Sequence, residues 1–189
     1  MANLDIPAEQ INTPGTFAFG HYVPEIAEAA FAYSRSVYLH SCLSHREFEG
    51  ARIRTAQING CRACQSWRGA RDTPAYLAAG GNLGAHSIVD NGPAPDDAFY
   101  DAVADWRNSP VFSPRERLAI AFAEGMGLEP QVLSADAEFW VQARQLFSNQ
   151  EILDLTLSIG SWMALGRAMH VLGFDTICPM PEMAKANAA

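Results

Sequence analysis

Lysine is almost absent from this 189-residue chain. Lys185 is the only one, and with 12 arginines it faces 21 acidic residues, so the net charge is −8. A surplus of negative charge excludes the electrostatic footprint of a nucleic-acid binder. No polybasic cluster is present to hold an anionic membrane surface, and no apolar run approaches the roughly 18 residues of a membrane-spanning helix. The opening MANLDIPAEQINTPG lacks the basic and apolar regions of a signal peptide. The sequence therefore predicts a cytoplasmic protein with no nucleic-acid or membrane partner. Cysteine is scarce as well. Four in the whole chain are too few for a disulfide scaffold, and in a reducing compartment a close pair points to redox chemistry or metal. Glycine and proline follow no period, which excludes a collagen-like chain. Alternating apolar and polar runs bounded by turns are also missing, so no strand is predicted.

What is present is an apolar fraction of 49% against 18% charged residues, enough to bury a core and too apolar for a disordered chain. Three S-x-x-E capping boxes, Ser44–Glu47, Ser113–Glu116 and Ser148–Glu151, each precede an apolar-periodic run. They predict helices over roughly 44–58, 113–126 and 149–172. Pro24 and the stretch PEIAEAAFAYSRSVYL open another at 24–39. Further helices are predicted over 61–79, ending at Gly80-Gly81, and near 95–107 and 135–147, with a loop at 80–95. The expected fold is all-α: a single-domain bundle of six to seven helices with a C-x-x-C at the N-terminus of a central helix. Residues 1–22 read as an extended arm, 23–175 as the helical domain and 176–189 as a C-terminal tail.

The arginines cluster. Six of the 12, namely Arg46, Arg52, Arg54, Arg62, Arg68 and Arg71, lie in a 26-residue window that holds only Glu47 and Glu49 as acids. Within it runs QINGCRACQSWR. Asn59-Gly60 signals a turn, and Cys61 and Cys64 then open a helix with both sulfurs on one face. Free N–H groups and a positive dipole end favour thiolate there, as does nearby arginine. This is the recipe for a low-pKa thiol with a resolving partner. Two blander readings stand beside it: half of a zinc site, for which Cys42 and Cys178 are isolated and no H-x₃₋₅-H is present, or small core residues.

If helices 44–58 and 61–79 form a hairpin about Asn59-Gly60, Glu49 and Arg68 lie level, and Arg68 sits one turn below Cys64. The expectation is a Glu49–Arg68 pair beside Cys64. His45 shares the face of Glu49 but lies about 20 Å from the turn. Trp67 and His170 read as packing residues. No phosphate loop, serine-nucleophile elbow or haem-type motif is present, so no cofactor is expected.

The segment 44-SHREFEGARIRTAQINGCRACQSWRGA-70, with 113-SPRERLAIAFAEGMG-127 and 147-FSNQEILDLTLSIGSWMALGRAMHVLG-173, resembles the carboxymuconolactone decarboxylase/alkylhydroperoxidase D-like family over about residues 20–175. The redox members carry a Glu, then C-x-x-C twelve residues on, then a His four residues after the second Cys. Glu49, Cys61 and Cys64 match this spacing; Arg68 stands where the His would be. The resemblance implies a thiol-dependent peroxidase or disulfide reductase in which Cys64 attacks and Cys61 resolves. It makes Cys61, Cys64, Glu49 and Arg68 the candidate site. Arginine cannot relay a proton, because its pKa stays above about 12; it can stabilise a thiolate by charge. The implied partners are a hydroperoxide or disulfide substrate and a thiol reductant, and the implied assembly is a homotrimer or hexamer. A decarboxylase-like lyase and a non-catalytic oligomer with a decayed site are the alternatives.

Overall fold

Ser44, Ser113 and Ser148 each start an α-helix as their capping boxes predict. In all three, the Ser hydroxyl accepts from the Glu backbone N–H and the Glu carboxylate accepts from the Ser N–H. The same three boxes are also tied together in space. Arg46 pairs with Glu116 at 2.6 Å, Arg115 returns the contact to Glu47 at 2.5 Å, and Arg115 also holds Glu151 at 2.6 Å. Each capping carboxylate thus serves a second partner, which locks three helix starts at one end of the bundle.

The computed structural model describes residues 2–174. It contains α1 (Pro14–Tyr22), α2 (Pro24–His40), α3 (His45–Asn59), α4 (Arg62–Ser66), α5 (Gly69–Ala79), α6 (Asp97–Ala102), α7 (Pro114–Leu128), α8 (Pro130–Ala135), α9 (Ala137–Leu146) and α10 (Asn149–Val171). Short 3₁₀ turns lie at Ala8–Gln10, Ile88–Asp90 and Val103–Asp105. Among the described residues there is no strand, and no helix is long and apolar enough to cross a membrane. The fold is all-α, with ten α-helices among the described residues rather than six or seven.

The central element is α3, with eleven of its fifteen residues buried. It runs between α7 and α10. Phe48 on one side joins Leu118, Phe122, Leu155, Ile159 and Trp162; on another, Ile53 meets Phe99, Tyr100, Val103 and Phe112. Gly60 ends α3 with φ at 70°, a left-handed conformation that glycine adopts without strain. The N–H groups of Gly60 and Cys61 fold back onto the carbonyls of Gln57 and Ala56, closing the helix end. Asn59 clamps this end to α10: its amide donates to the Trp162 carbonyl at 2.9 Å and its oxygen accepts from Arg167 at 3.0 Å.

Two expectations are corrected. The helix predicted over 61–79 is broken, because Trp67 and Arg68 are extended. The carbonyls of Cys64 and Trp67, which a continuous helix would turn to its own N–H groups, instead accept from Arg52 at 2.8 and 3.0 Å. The Asp72 carboxylate accepts the Arg68 N–H at 2.8 Å and restarts the chain as α5. Second, the stretch expected as an extended arm contains α1, which packs on α2. The tail at 176–189 and Cys178 lie outside the described residues.

Candidate functional site

Cys61 and Cys64 are joined as a disulfide across α4, with Cα atoms 5.3 Å apart. Cys61 caps the helix: its sulfur accepts the Cys64 N–H at 3.3 Å. It is fully buried, whereas Cys64 is partly exposed. Because α4 has only five residues, the dipole that the sequence assigns to this terminus is that of a single turn. The other described cysteine, Cys42, is exposed and free just before α3; burial and then Asp154 push its thiol up to about 11. No group of three or more His, Cys, Asp and Glu residues converges as a metal site among the described residues.

Glu49 does not pair with Arg68. It is sealed from solvent and bound by Arg52, one turn on, with Nε to Oε1 at 2.5 Å and Nη2 to Oε2 at 2.9 Å. The Tyr100 hydroxyl donates to it at 2.6 Å and the Gly69 N–H at 3.1 Å. Burial alone would raise the Glu49 pKa, but the Arg52 charge and these donors hold it below its ordinary value. Burial likewise opposes the Arg52 charge, and Glu49 overrules it. Arg52 thereby becomes a fixed cation whose remaining N–H groups hold the Cys64 and Trp67 carbonyls. The Glu49–Arg52 pair sets the position of the α4 segment and so of the sulfurs.

Arg68 lies outside this column. The helix break turns it away, so its guanidinium stacks over the Tyr100 ring at 4.2 Å and reaches the exposed Asp97 at 3.6 Å. It also donates to the carbonyls of Gln65 and Trp67. Arg52, i+3 from Glu49, was missed as its partner, although that spacing alone makes it eligible. Six arginines in one window hid the choice. His45 is buried against Gly69 and Glu49: a β-carbon on Gly69 would come within 2.5 Å of its Nε2 and 2.9 Å of the Glu49 carboxyl carbon. Burial is the main influence lowering its pKa and keeping it neutral. His170 lies against Gly60, at the turn before Cys61.

Beside the disulfide is a cavity of about 350 Å³, within the range of small-molecule sites. Cys61, Cys64, Arg52, Tyr38 and Trp67 line it together with the apolar Phe19, Phe31, Leu165 and Met169. Helix α1 thus closes the side that the sequence left to an arm. Ser161 Oγ and Trp67 Nε1 are buried without a hydrogen-bond partner, and both residues line this space. Two unused donors beside a sulfur pair suit a ligand that carries acceptor oxygens.

The helical bundle has the alkylhydroperoxidase D-like fold. It superimposes on a crystal structure from Agrobacterium tumefaciens, ATU0492, a protein of unknown function described as a candidate antioxidant defence protein AhpD. The TM-score is 0.61 at 21% identity, covering 82% of this chain and 92% of that one. Over 83 residues the chain is 41% identical to the uncharacterized protein YnjA of Escherichia coli (strain K12); the match spans 43% of this chain and 44% of YnjA. No protein-family model matches.

Proposed function

We propose that the protein is a thiol-dependent antioxidant oxidoreductase that reduces a hydroperoxide, or a small disulfide, at the Cys61–Cys64 pair. The observation that carries this reading is the placement of both sulfurs on the wall of an apolar cavity with unused hydrogen-bond donors. In the reduced state the partly exposed Cys64 attacks as thiolate and becomes a sulfenic acid; the buried Cys61, already in bonding reach, condenses with it to a disulfide and releases water. An external thiol then reduces the disulfide. Arg52 favours the Cys64 thiolate by charge, and Glu49 acts through Arg52 as a positioning residue. Arg68 adds positive charge outside the cavity. The described fold of ATU0492 and its antioxidant description support this assignment without identifying a substrate. Exposed Ile26 on α2 with Leu153 and Leu157 on α10 support a homo-oligomer, trimer or hexamer, which light scattering would test against a monomer of 20.5 kDa.

The deciding experiment is peroxide consumption with a dithiol reductant. Wild type consumes cumene hydroperoxide and Cys64→Ser does not. Equal rates for the two proteins would refute the assignment. Mass measurement after mild peroxide treatment gives the matching check, since disulfide formation removes two hydrogens.

A further inference from the structure

Peroxide reduction by a thiolate leaves an alkoxide, which needs a proton, and the residue that would supply it by family resemblance is absent. Among the groups around the sulfurs, most are unfit. Glu49 is held ionised by four donor atoms and has no proton to give. Arg52 is fixed as a cation by that carboxylate and by two carbonyls. Arg68 stacks on Tyr100 and does not line the cavity, and neither His45 nor His170 does. Glu28 lines it, but lies ten residues along α2 from Tyr38, about 15 Å away. Ser161 can donate a hydrogen bond, but an aliphatic alcohol is no stronger an acid than the alcohol being formed.

Tyr38 remains. It is 7% exposed, lines the cavity with Cys61, Cys64 and Arg52, and packs its ring on Trp67 at 6.0 Å, Phe48 at 5.2 Å and Tyr76 at 5.6 Å. Three aromatic contacts fix the ring. Burial raises its pKa, so the phenol stays protonated at neutral pH, while the Arg52 charge acts in the other direction and stabilises a transient phenolate.

We infer that Tyr38 is the catalytic acid of this site, delivering a proton to the alkoxide that leaves when Cys64 cleaves a hydroperoxide. The inference rests on the peroxidase reading above. The Cys64 thiolate attacks the terminal peroxide oxygen; the S–O bond forms, the O–O bond breaks, and its electron pair leaves on the alkoxide. The Tyr38 hydroxyl protonates that alkoxide, giving the alcohol and a phenolate. An alkoxide is a stronger base than a phenolate, so the transfer runs downhill. The phenolate then takes the Cys61 thiol proton. The Cys61 sulfur attacks the Cys64 sulfenic acid, and the disulfide forms with loss of hydroxide. That hydroxide takes up the proton Cys64 released on ionising. The sum is two thiols and a hydroperoxide giving a disulfide, an alcohol and water. Tyr38 ends as it began, a proton shuttle for both halves of the reaction.

The test compares leaving groups. Reduced wild type and Tyr38→Phe are mixed with cumene hydroperoxide, whose alkoxide needs a proton, and with peracetic acid, whose carboxylate leaves without one. Disulfide formation is followed in a single turnover. The expected result is a fall of about a hundredfold with cumene hydroperoxide and a change of no more than about twofold with peracetic acid. The intact peracid rate also reports an intact fold. Equal losses with both oxidants would make Tyr38 a packing residue and overturn the inference, as would unchanged rates with both. Wild type that forms no disulfide with either oxidant would instead remove the peroxidase reading on which it rests.

Discussion

Arg52 grips both carboxylate oxygens of Glu49 from one turn away on α3, with both side chains sealed from solvent. Two charges in that position are stable only as a pair, because each neutralises the other's cost of leaving water. The pair does more than balance charge. Through the Cys64 and Trp67 carbonyls it also draws the C-x-x-C turn onto the central helix.

Removal of one partner is therefore expected to cost more than removal of both. Glu49→Ala strands a buried guanidinium and should lower stability by about 3–5 kcal/mol. Glu49→Leu combined with Arg52→Met should cost less than the sum of the single changes. Urea unfolding of the three variants measures this, and additive losses would show that the two side chains act independently.

Arg68, standing where the family resemblance places a relay histidine, is expected to be kinetically quiet. Its stacking on Tyr100 predicts that Arg68→Ala loses about 0.5–1 kcal/mol of stability. The rate of disulfide formation with cumene hydroperoxide should stay within about twofold of wild type, a range far smaller than general acid–base effects. Arg68→His should likewise fail to raise activity, since the side chain faces away from the cavity. A large gain with His would place Arg68 back beside the sulfur.

Glu124 anchors the acid limb of stability. Burial alone would raise its pKa, but hydrogen bonds from Arg107 and Trp106 and the charges of Arg54 and Arg107 depress it from 4.5 to about 2. A depressed carboxyl contributes stability that is fully present above its unfolded pKa. The contribution is lost as pH falls from about 4.5 towards 2. Thermal unfolding across that window should show a shallower decline for Glu124→Gln than for wild type. Parallel curves would contradict the assignment.

The cavity's apolar lining sets which oxidants fit. Leu165→Trp fills space that Phe19, Phe31 and Met169 leave open. The rate with cumene hydroperoxide should fall about tenfold more than the rate with hydrogen peroxide, in keeping with the usual reach of steric discrimination in an apolar pocket. Equal effects on the two would mean that the substrate reaches Cys64 by another route.

Local chemistry decided much of this protein. The three serine boxes, Pro24 and Pro114, and the Asn59-Gly60 turn each act within a few residues, so they were legible in the chain and place the ends of α2, α3, α7 and α10 correctly. The close Cys61–Cys64 pair belongs to the same class. The partner of Glu49 does not. Hairpin symmetry favoured Arg68 because it assumed that one helix ran from 61 to 79. That helix is broken by Arg52, which takes the carbonyls of Cys64 and Trp67, and by Asp72, which caps the restart. Helix propensity is worth tenths of a kcal/mol per residue, whereas an unpaired buried arginine costs several, so the tertiary contact wins. The cavity is non-local for the same reason. Its walls come from α1, α2, α3, the C-x-x-C turn and α10, residues separated by more than 150 positions. Only the packing of those helices decides that Tyr38 and the two sulfurs face one space.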